Sequence, residues 1–232
     1  MNIDEVYQQT YRFDIAVSSY CQAYCPSCAR TDTDTLETVS WLKPSHIDFD
    51  VFKRIVDSAV DLDPDVVFQF CGELGDPMMH PRIGELIDYA MERARQVEIN
   101  TNGGLRQPEW YEEMAEKWGR NSIADKCGKE LRIVFGIDGV YEETNQKYRI
   151  NVDHARAMAN MEAWSKAGGP SEWHFILFEH NWHEIPEAIL TSQQVDCPVF
   201  FKFNARDYGK ISDHGKQEAY RLIEKYNGEI VP

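Results

Sequence analysis

YCQAYCPSCAR, residues 20–30, sets three of the chain's six cysteines at positions 21, 25 and 28. Clustered thiols bind zinc, ligate iron–sulfur clusters, or stay protonated and pack as small hydrophobes. A closed structural zinc site wants a fourth Cys or His at matching spacing. Cys71 is the only distant thiolate suited to that part and His46 the nearest imidazole, and neither completes a finger or ribbon. A cubane cluster held by three protein thiolates instead leaves one iron open to an outside ligand, which a catalytic cluster requires.

Working outward, the cysteines follow RFDIAVS (12–18), which reads as a strand. Further strands are expected at DVVFQF (65–70), QVEINT (96–101), LRIVFGI (131–137), WHFILFE (173–179) and PVFFKF (198–203). Amphipathic segments alternate with them. DFDVFKRIVDSAVDL begins with acids that suit a helix N-terminus. PRIGELIDYAMERARQ opens on Pro81 as a first helical residue. PEWYEEMAEKWG, DHARAMANMEAWSKAGG, HEIPEAILTSQQ and DHGKQEAYRLIEKYNG complete the series, with Gly168–Gly169 and Gly228 as helix stops.

Strand–helix repetition argues for an α/β protein with a parallel sheet, and near-continuous apolar strands suggest that both sheet faces are covered. Six units are too few for a closed eightfold barrel, so a partial, open barrel or a doubly wound sheet is expected. In either, functional residues gather at the C-terminal strand ends. FCGELGDP (70–77), NTNGG (100–104), GIDGV (136–140) and FEHN (178–181) all lie there, as do the cysteines. Residues 29–47 read as a long loop, and no linker or second-domain boundary is visible, so 1–232 reads as one domain.

The chain carries 39 acidic and 24 basic residues, a formal net charge of −15. That sign argues against nucleic acid as a partner. No run of about 18 apolar residues suggests a membrane span. MNIDEVYQQTYR is too polar for a signal peptide, so the expected compartment is the reducing cytoplasm, where clustered cysteines serve metal or redox chemistry.

Together these residues resemble the radical S-adenosylmethionine (radical SAM) superfamily, whose signature is Cys-x3-Cys-x2-Cys after the first strand. CGELGDPMMHP, INTNG, GIDG, YRINVDHARAMANMEAW and EWHFILFEHN follow in the family's order. The set is most similar to the SPASM/Twitch-type branch. The resemblance implies a partial (β/α)6 TIM-like barrel, one [4Fe-4S] cluster on Cys21, Cys25 and Cys28, and S-adenosylmethionine at the open iron. It implies reductive cleavage to a 5′-deoxyadenosyl radical that abstracts hydrogen from a substrate, with reduced flavodoxin or ferredoxin as electron donor.

It further implies cofactor contacts. Gly72 and Gly75 would allow close backbone approach. Glu73 would accept from the methionine ammonium, with Asp76 sharing that role. Asn102 and Asp138 would reach ribose or methionine groups, and Arg149 the methionine carboxylate. Tyr24, Ser27 and Ile176 are also expected among the cofactor contacts, Ser27 reaching the adenine mainly through its backbone. Asp138 and Asn102 also suit plain Asp-Gly and Asn-Gly turns. Cys71, beside the glycines, is a candidate hydrogen donor.

The sequence also departs from the family. Ser27 stands where an apolar residue is frequent, Gly136 where serine is frequent and Glu179 where lysine is common. After residue 128 only Cys197 remains, so auxiliary clusters are not expected; Cys127 and Cys197 read as structural or exposed thiols. NGEIVP reads as the finish of a sixth unit. Without a lid the barrel mouth would admit a large substrate, a peptide or glycan. Arg30 and Lys43 are candidates for docking the acidic electron donor. His180 faces either the mouth or the core. A non-catalytic iron–sulfur carrier or sensor on the same scaffold is the alternative reading.

Overall fold

The computed structural model describes residues 12–205 and 208–230. Seven parallel strands pair in chain order, each with its sequence neighbours. They are β1 (Arg12–Ile15), β2 (Val67–Phe70), β3 (Gln96–Thr101), β4 (Glu130–Gly136), β5 (Ser171–Leu177), β6 (Val199–Phe203) and β7 (Glu229–Ile230). The helices are α1 (Phe49–Leu62), α2 (Ile83–Arg93), α3 (Pro108–Trp118), α4 (Ile123–Lys126), α5 (Glu142–Asn145), α6 (His154–Lys166), α7 (Ile185–Gln194) and α8 (Asp213–Lys225). A doubly wound sheet would reverse its strand order partway. This order never reverses, and β1 and β7 are its two edges, so the architecture is the open, partial barrel.

Strand residues alternate between two environments. Phe68, Phe70, Val97, Ile99, Leu131, Ile133, Phe135, Phe175 and Leu177 are fully buried. Their neighbours on the opposite face are polar and half-buried: Gln69, Gln96, Glu98, Asn100, Arg132, Glu172 and His174. The expectation that both sheet faces are covered is therefore corrected: helices cover the apolar outer face, while the inner face, where Val134 and Ile176 stand among these polar residues, surrounds a lumen that side chains do not fill.

Helix ends follow local chemistry. Asp48 caps α1 by accepting from the backbone N–H groups of Asp50 and Val51 at 3.0 and 3.1 Å. Its buried face is Phe52, Val56 and Ala59. Asp153 and Ser212 cap α6 and α8 in the same way. Pro81 is not a helix start, because α2 begins at Ile83; Pro77 instead opens a single 3-10 turn capped by Asp76. Past α8 the left-handed residue is Asn227, at φ 54°, rather than Gly228, whereas Gly168, at φ 91°, is the expected stop after α6.

Strand β1 ends at Ile15, three residues earlier than expected, and Ser18 forms an isolated antiparallel bridge with His46. That bridge and a second, Thr31 with Thr38, organise the long 29–47 loop. The short α4, α5 and β7 are additions, each too brief to give a periodic signal. Among the described residues, no helix is long and apolar enough to cross a membrane.

Candidate active site

The chain leaving β1 carries the three cysteines over the C-terminal ends of the strands. Cys25 is buried, and Cys21 and Cys28 are half-buried. The loop is tied down by its backbone: Cys28 N–H donates to Cys25 O at 3.0 Å, and Tyr24 N–H to Ile150 O at 3.0 Å. Arg30 donates to Cys21 O at 2.8 Å and to Thr38 Oγ1 at 3.1 Å. With 5% exposure Arg30 is thus an internal tie, which corrects the expectation that it docks a partner.

Donors converge on the sulfurs. Ala23 N–H lies 3.4 Å and Asn102 Nδ2 3.7 Å from Cys21 Sγ, while Arg149 Nη1 lies 3.9 Å from Cys25 Sγ. Such donors stabilise thiolates bound to iron. Burial pushes the Cys21 thiol up to about 12 and raises Cys25 as well. Metal must therefore displace protons on binding. Among the described residues, no three His, Cys, Asp or Glu side chains are placed to hold a single metal ion. The three thiols instead border a common space, which fits a cluster.

That space is a cavity of about 250 Å³ whose wall includes Cys21, Cys25, Cys28, Gly72, Gly75, Asp76, Asn102, Arg149 and Ile176. A second cavity of about 440 Å³ adjoins it, sharing Cys25, Cys28, Gly72, Arg149 and Ile176 and adding Glu73 and Tyr148. Seven expected contact residues are thereby placed on one or the other wall. Asp138 stands behind Arg149. Tyr24 is 37% exposed, and Ser27 borders a separate surface depression with Leu36 and Tyr208. Cys71 lines none of these cavities; burial raises its thiol.

Two carboxylates prove to be organisers. Asp76 is buried and accepts from Thr101 Oγ1 at 3.0 Å, Asn102 N–H at 2.9 Å and Met78 N–H at 2.9 Å, joining the β2 and β3 ends. Asp138 accepts from Ile176 N–H at 2.7 Å and Arg149 Nε at 2.6 Å. Burial works against the Arg149 guanidinium, yet the Asp138 carboxylate pushes its pKa upward, so it stays charged beside Cys25.

The turn presenting Asp138 is clamped on every side. Asp138 N–H donates to Asn145 Oδ1 at 2.9 Å, Val140 N–H to Glu184 Oε2 at 2.8 Å, and Asn181 Nδ2 to Asp138 O at 2.9 Å. His154 Nε2 meets Gly139 O at 3.1 Å. Asn181, Asn145 and Glu184 escaped sequence reading, as did Gln22, whose amide pairs with Asn102 at 2.7 Å. For Asn181 the signal existed: it is the last residue of FEHN, at a strand end.

The glycines have nearer reasons than ligand approach. A Cβ at Gly72 would meet Gly75 O at 2.1 Å, and one at Gly75 would meet Ser18 O at 2.3 Å, so both let neighbouring loops pack. At Gly136 a Cβ would lie 2.7 Å from Arg149 Nη2. The departure to glycine there makes room for the arginine.

Comparisons with known proteins bear on the family and the fold. A model of the Radical SAM superfamily matches residues 15–191. The tungsten-containing aldehyde ferredoxin oxidoreductase cofactor-modifying protein of Pyrococcus furiosus is 28% identical over 102 residues, 44% of this chain and 26% of that protein. The AdoMet-dependent heme synthase of Methanosarcina barkeri is 21% identical over 184 residues, 79% of this chain and 47% of that protein. The chain thus spans less than half the length of both curated relatives. Among solved structures, Streptococcus suis SuiB bound to S-adenosylmethionine superposes with a TM-score of 0.69 at 16% identity, over 95% of this chain and 50% of SuiB. The anSMEcpe structure with bound AdoMet gives 0.69 at 14% identity, over 94% of this chain and 63% of that one.

Proposed function

The chain belongs to the radical SAM superfamily, and from that premise we propose that it is a radical SAM enzyme holding one [4Fe-4S] cluster on Cys21, Cys25 and Cys28. When bound, the cluster supplies the electron that cleaves S-adenosylmethionine into methionine and the hydrogen-abstracting 5′-deoxyadenosyl radical. The observation that carries this reading is the charged Arg149, held by Asp138 against Cys25 on the wall that all three thiols share.

The residues divide the labour as follows. Ala23 N–H, Asn102 and Arg149 orient and stabilise the sulfurs. Arg149 offers its remaining N–H groups to the methionine carboxylate, while the exposed Glu73 accepts from its ammonium. Gly72, Gly75 and Ile176 shape the wall around the cofactor. Asn102 serves through the cysteine loop, and Asp76 and Asp138 act as positioning residues. Tyr24 and Ser27 have the weakest geometric support as adenosine contacts.

The substrate class we favour is a peptide. A SuiB structure bound to its precursor peptide SuiA superposes on this chain with a TM-score of 0.68 at 15% identity. Reduced flavodoxin or ferredoxin would supply electrons, in the cytoplasm, to residues 1–232 acting as a single core domain.

The test is anaerobic reconstitution with iron and sulfide, reduction by dithionite and quantification of 5′-deoxyadenosine. The wild type should form product and Cys25→Ala should form none above background. Equal product from both proteins would remove the cluster assignment.

A further inference from the structure

The lumen has two layers. Towards the N-terminal strand ends its polar residues satisfy one another. Arg12 donates to Gln69 at 2.8 Å and Glu98 at 2.7 Å, Gln96 to Glu130 at 3.1 Å and Arg132 to Glu172 at 2.7 Å; His174, which reaches up to line the cavity above, meets Glu172 at 2.9 Å. Towards the C-terminal ends, Asn100 on β3 and Lys202 on β6 are half-buried and line the cavity that the cysteines border. Neither side chain has a hydrogen-bond or ion-pair partner among the described residues. Lys202, level with Ile176 in the sheet, also lines the adjoining cavity.

Half-buried Lys202 lays its stem along the cavity wall, and an ammonium that borders a cavity without a counter-charge is available to an anionic ligand. Among the described acids around this lumen, Asp138 holds Arg149, Asp76 accepts three hydrogen bonds, Glu98, Glu130 and Glu172 are engaged below, and the exposed Glu73 shares the adjoining cavity without pairing with Lys202. S-adenosylmethionine brings one carboxylate, for which Arg149 already stands beside Cys25. A second anion can therefore be taken, and one ammonium beside one amide donor is balanced in charge by a single carboxylate.

We propose that Lys202 anchors a carboxylate of the substrate in the lumen, with the Asn100 amide as a second donor. The substrate is then a peptide presenting an acidic side chain or a free C-terminus to the reacting end of the cavity. This rests on reading the cavity as the radical SAM site, but the anchor can be measured apart from cleavage.

The experiment is a ligand-observed NMR titration of the anaerobically reconstituted protein, with and without saturating S-adenosylmethionine. The probes are N-acetylglutamate α-amide, N-acetylalanine and, as the uncharged control, N-acetylglutamine α-amide. At least one acid should bind, the control should not, and the tighter acid identifies which carboxylate is read. Lys202→Gln should weaken that acid about tenfold or more, as expected for a lost charge-assisted hydrogen bond, and Lys202→Arg should retain most of the affinity. Displacement of the acid by S-adenosylmethionine would overturn the proposal, because the anchored carboxylate would be the cofactor's. So would unchanged affinity in Lys202→Gln, or no binding of either acid. Should the protein fail to bind S-adenosylmethionine at all, the proposed function falls, while the wild-type and Lys202→Gln titrations still report on the anchor.

Discussion

Arg149 and Asp138 form an ion pair beside Cys25, and removing one partner exposes what the other was doing. Asp138→Ala leaves a buried guanidinium uncompensated, which typically costs about 3–5 kcal/mol. Denaturant unfolding should show a loss of that order, and calorimetric titration should show weaker S-adenosylmethionine binding. Unchanged stability would mean that the 2.6 Å contact contributes nothing. The residue types at 138 and 149 were legible in GIDGV and YR, but their mutual engagement was not. A sequence shows that an Asp follows a strand, not that both its oxygens face inward partners. Gly75 makes the same point in reverse: its glycine was legible, but the reason, Ser18 O at 2.3 Å from any Cβ, lies 57 residues away in another loop. Gly75→Ala should destabilise by about 1–3 kcal/mol or more, as overpacking does. Gly84→Ala, where a Cβ meets nothing within 4 Å in the first turn of α2, should raise stability by about 0.5–1 kcal/mol in the same unfolding assay.

At the scale of elements, hydrophobic periodicity found every long helix and all six longer strands, because each must bury one face and that leaves a trace in the sequence. It misjudged the strands' inner face, since apolar runs such as VFQF and LRIVF hide polar residues at alternate positions. It also missed the 138–140 turn's clamps, which come from α5, α6 and the segment after β5. Asn181 is the hinge of that arrangement, donating also to Ile176 O at 2.8 Å and accepting from Phe178 N–H at 2.6 Å. Asn181→Ala leaves these buried backbone groups unpaired, about 1–3 kcal/mol in stability for each group left unsatisfied. Backbone amide exchange should accelerate at Phe178, whose N–H loses its acceptor, while β2 remains protected; unchanged protection at Phe178 would refute the clamp.

Across the whole molecule, acidity and an open lumen shape the response to pH. His180 stacks on Phe178, its ring centroid 5.2 Å away, and its Nε2 is buried without a partner among the described residues. Burial, with Lys147 and His183 nearby, pushes its pKa down to about 4. Its neutral form is the folded one, so between about pH 6.5 and 4 the unfolded chain binds the extra proton. Stability is complete above that window and falls as pH drops through it, by about 1 kcal/mol between pH 7 and 5 once partial exposure is allowed for. His180→Phe should flatten that slope in denaturant midpoints taken across the range.

The parallel strand order and the cysteine loop were legible in one sequence, because they depend on spacing and on the direction of parallel strands; the choice of a partial barrel over a doubly wound sheet came from the family resemblance. What was not legible, the closed lower layer and the open upper layer of the lumen, depends on which strands become neighbours. The central claim, that the three thiols leave an iron open to S-adenosylmethionine, is tested most directly by electron paramagnetic resonance of the reduced, reconstituted protein. The account predicts a reduced-cluster signal that changes when S-adenosylmethionine is added, and no such change in Cys25→Ala. A cluster signal indifferent to S-adenosylmethionine in the wild type would contradict it.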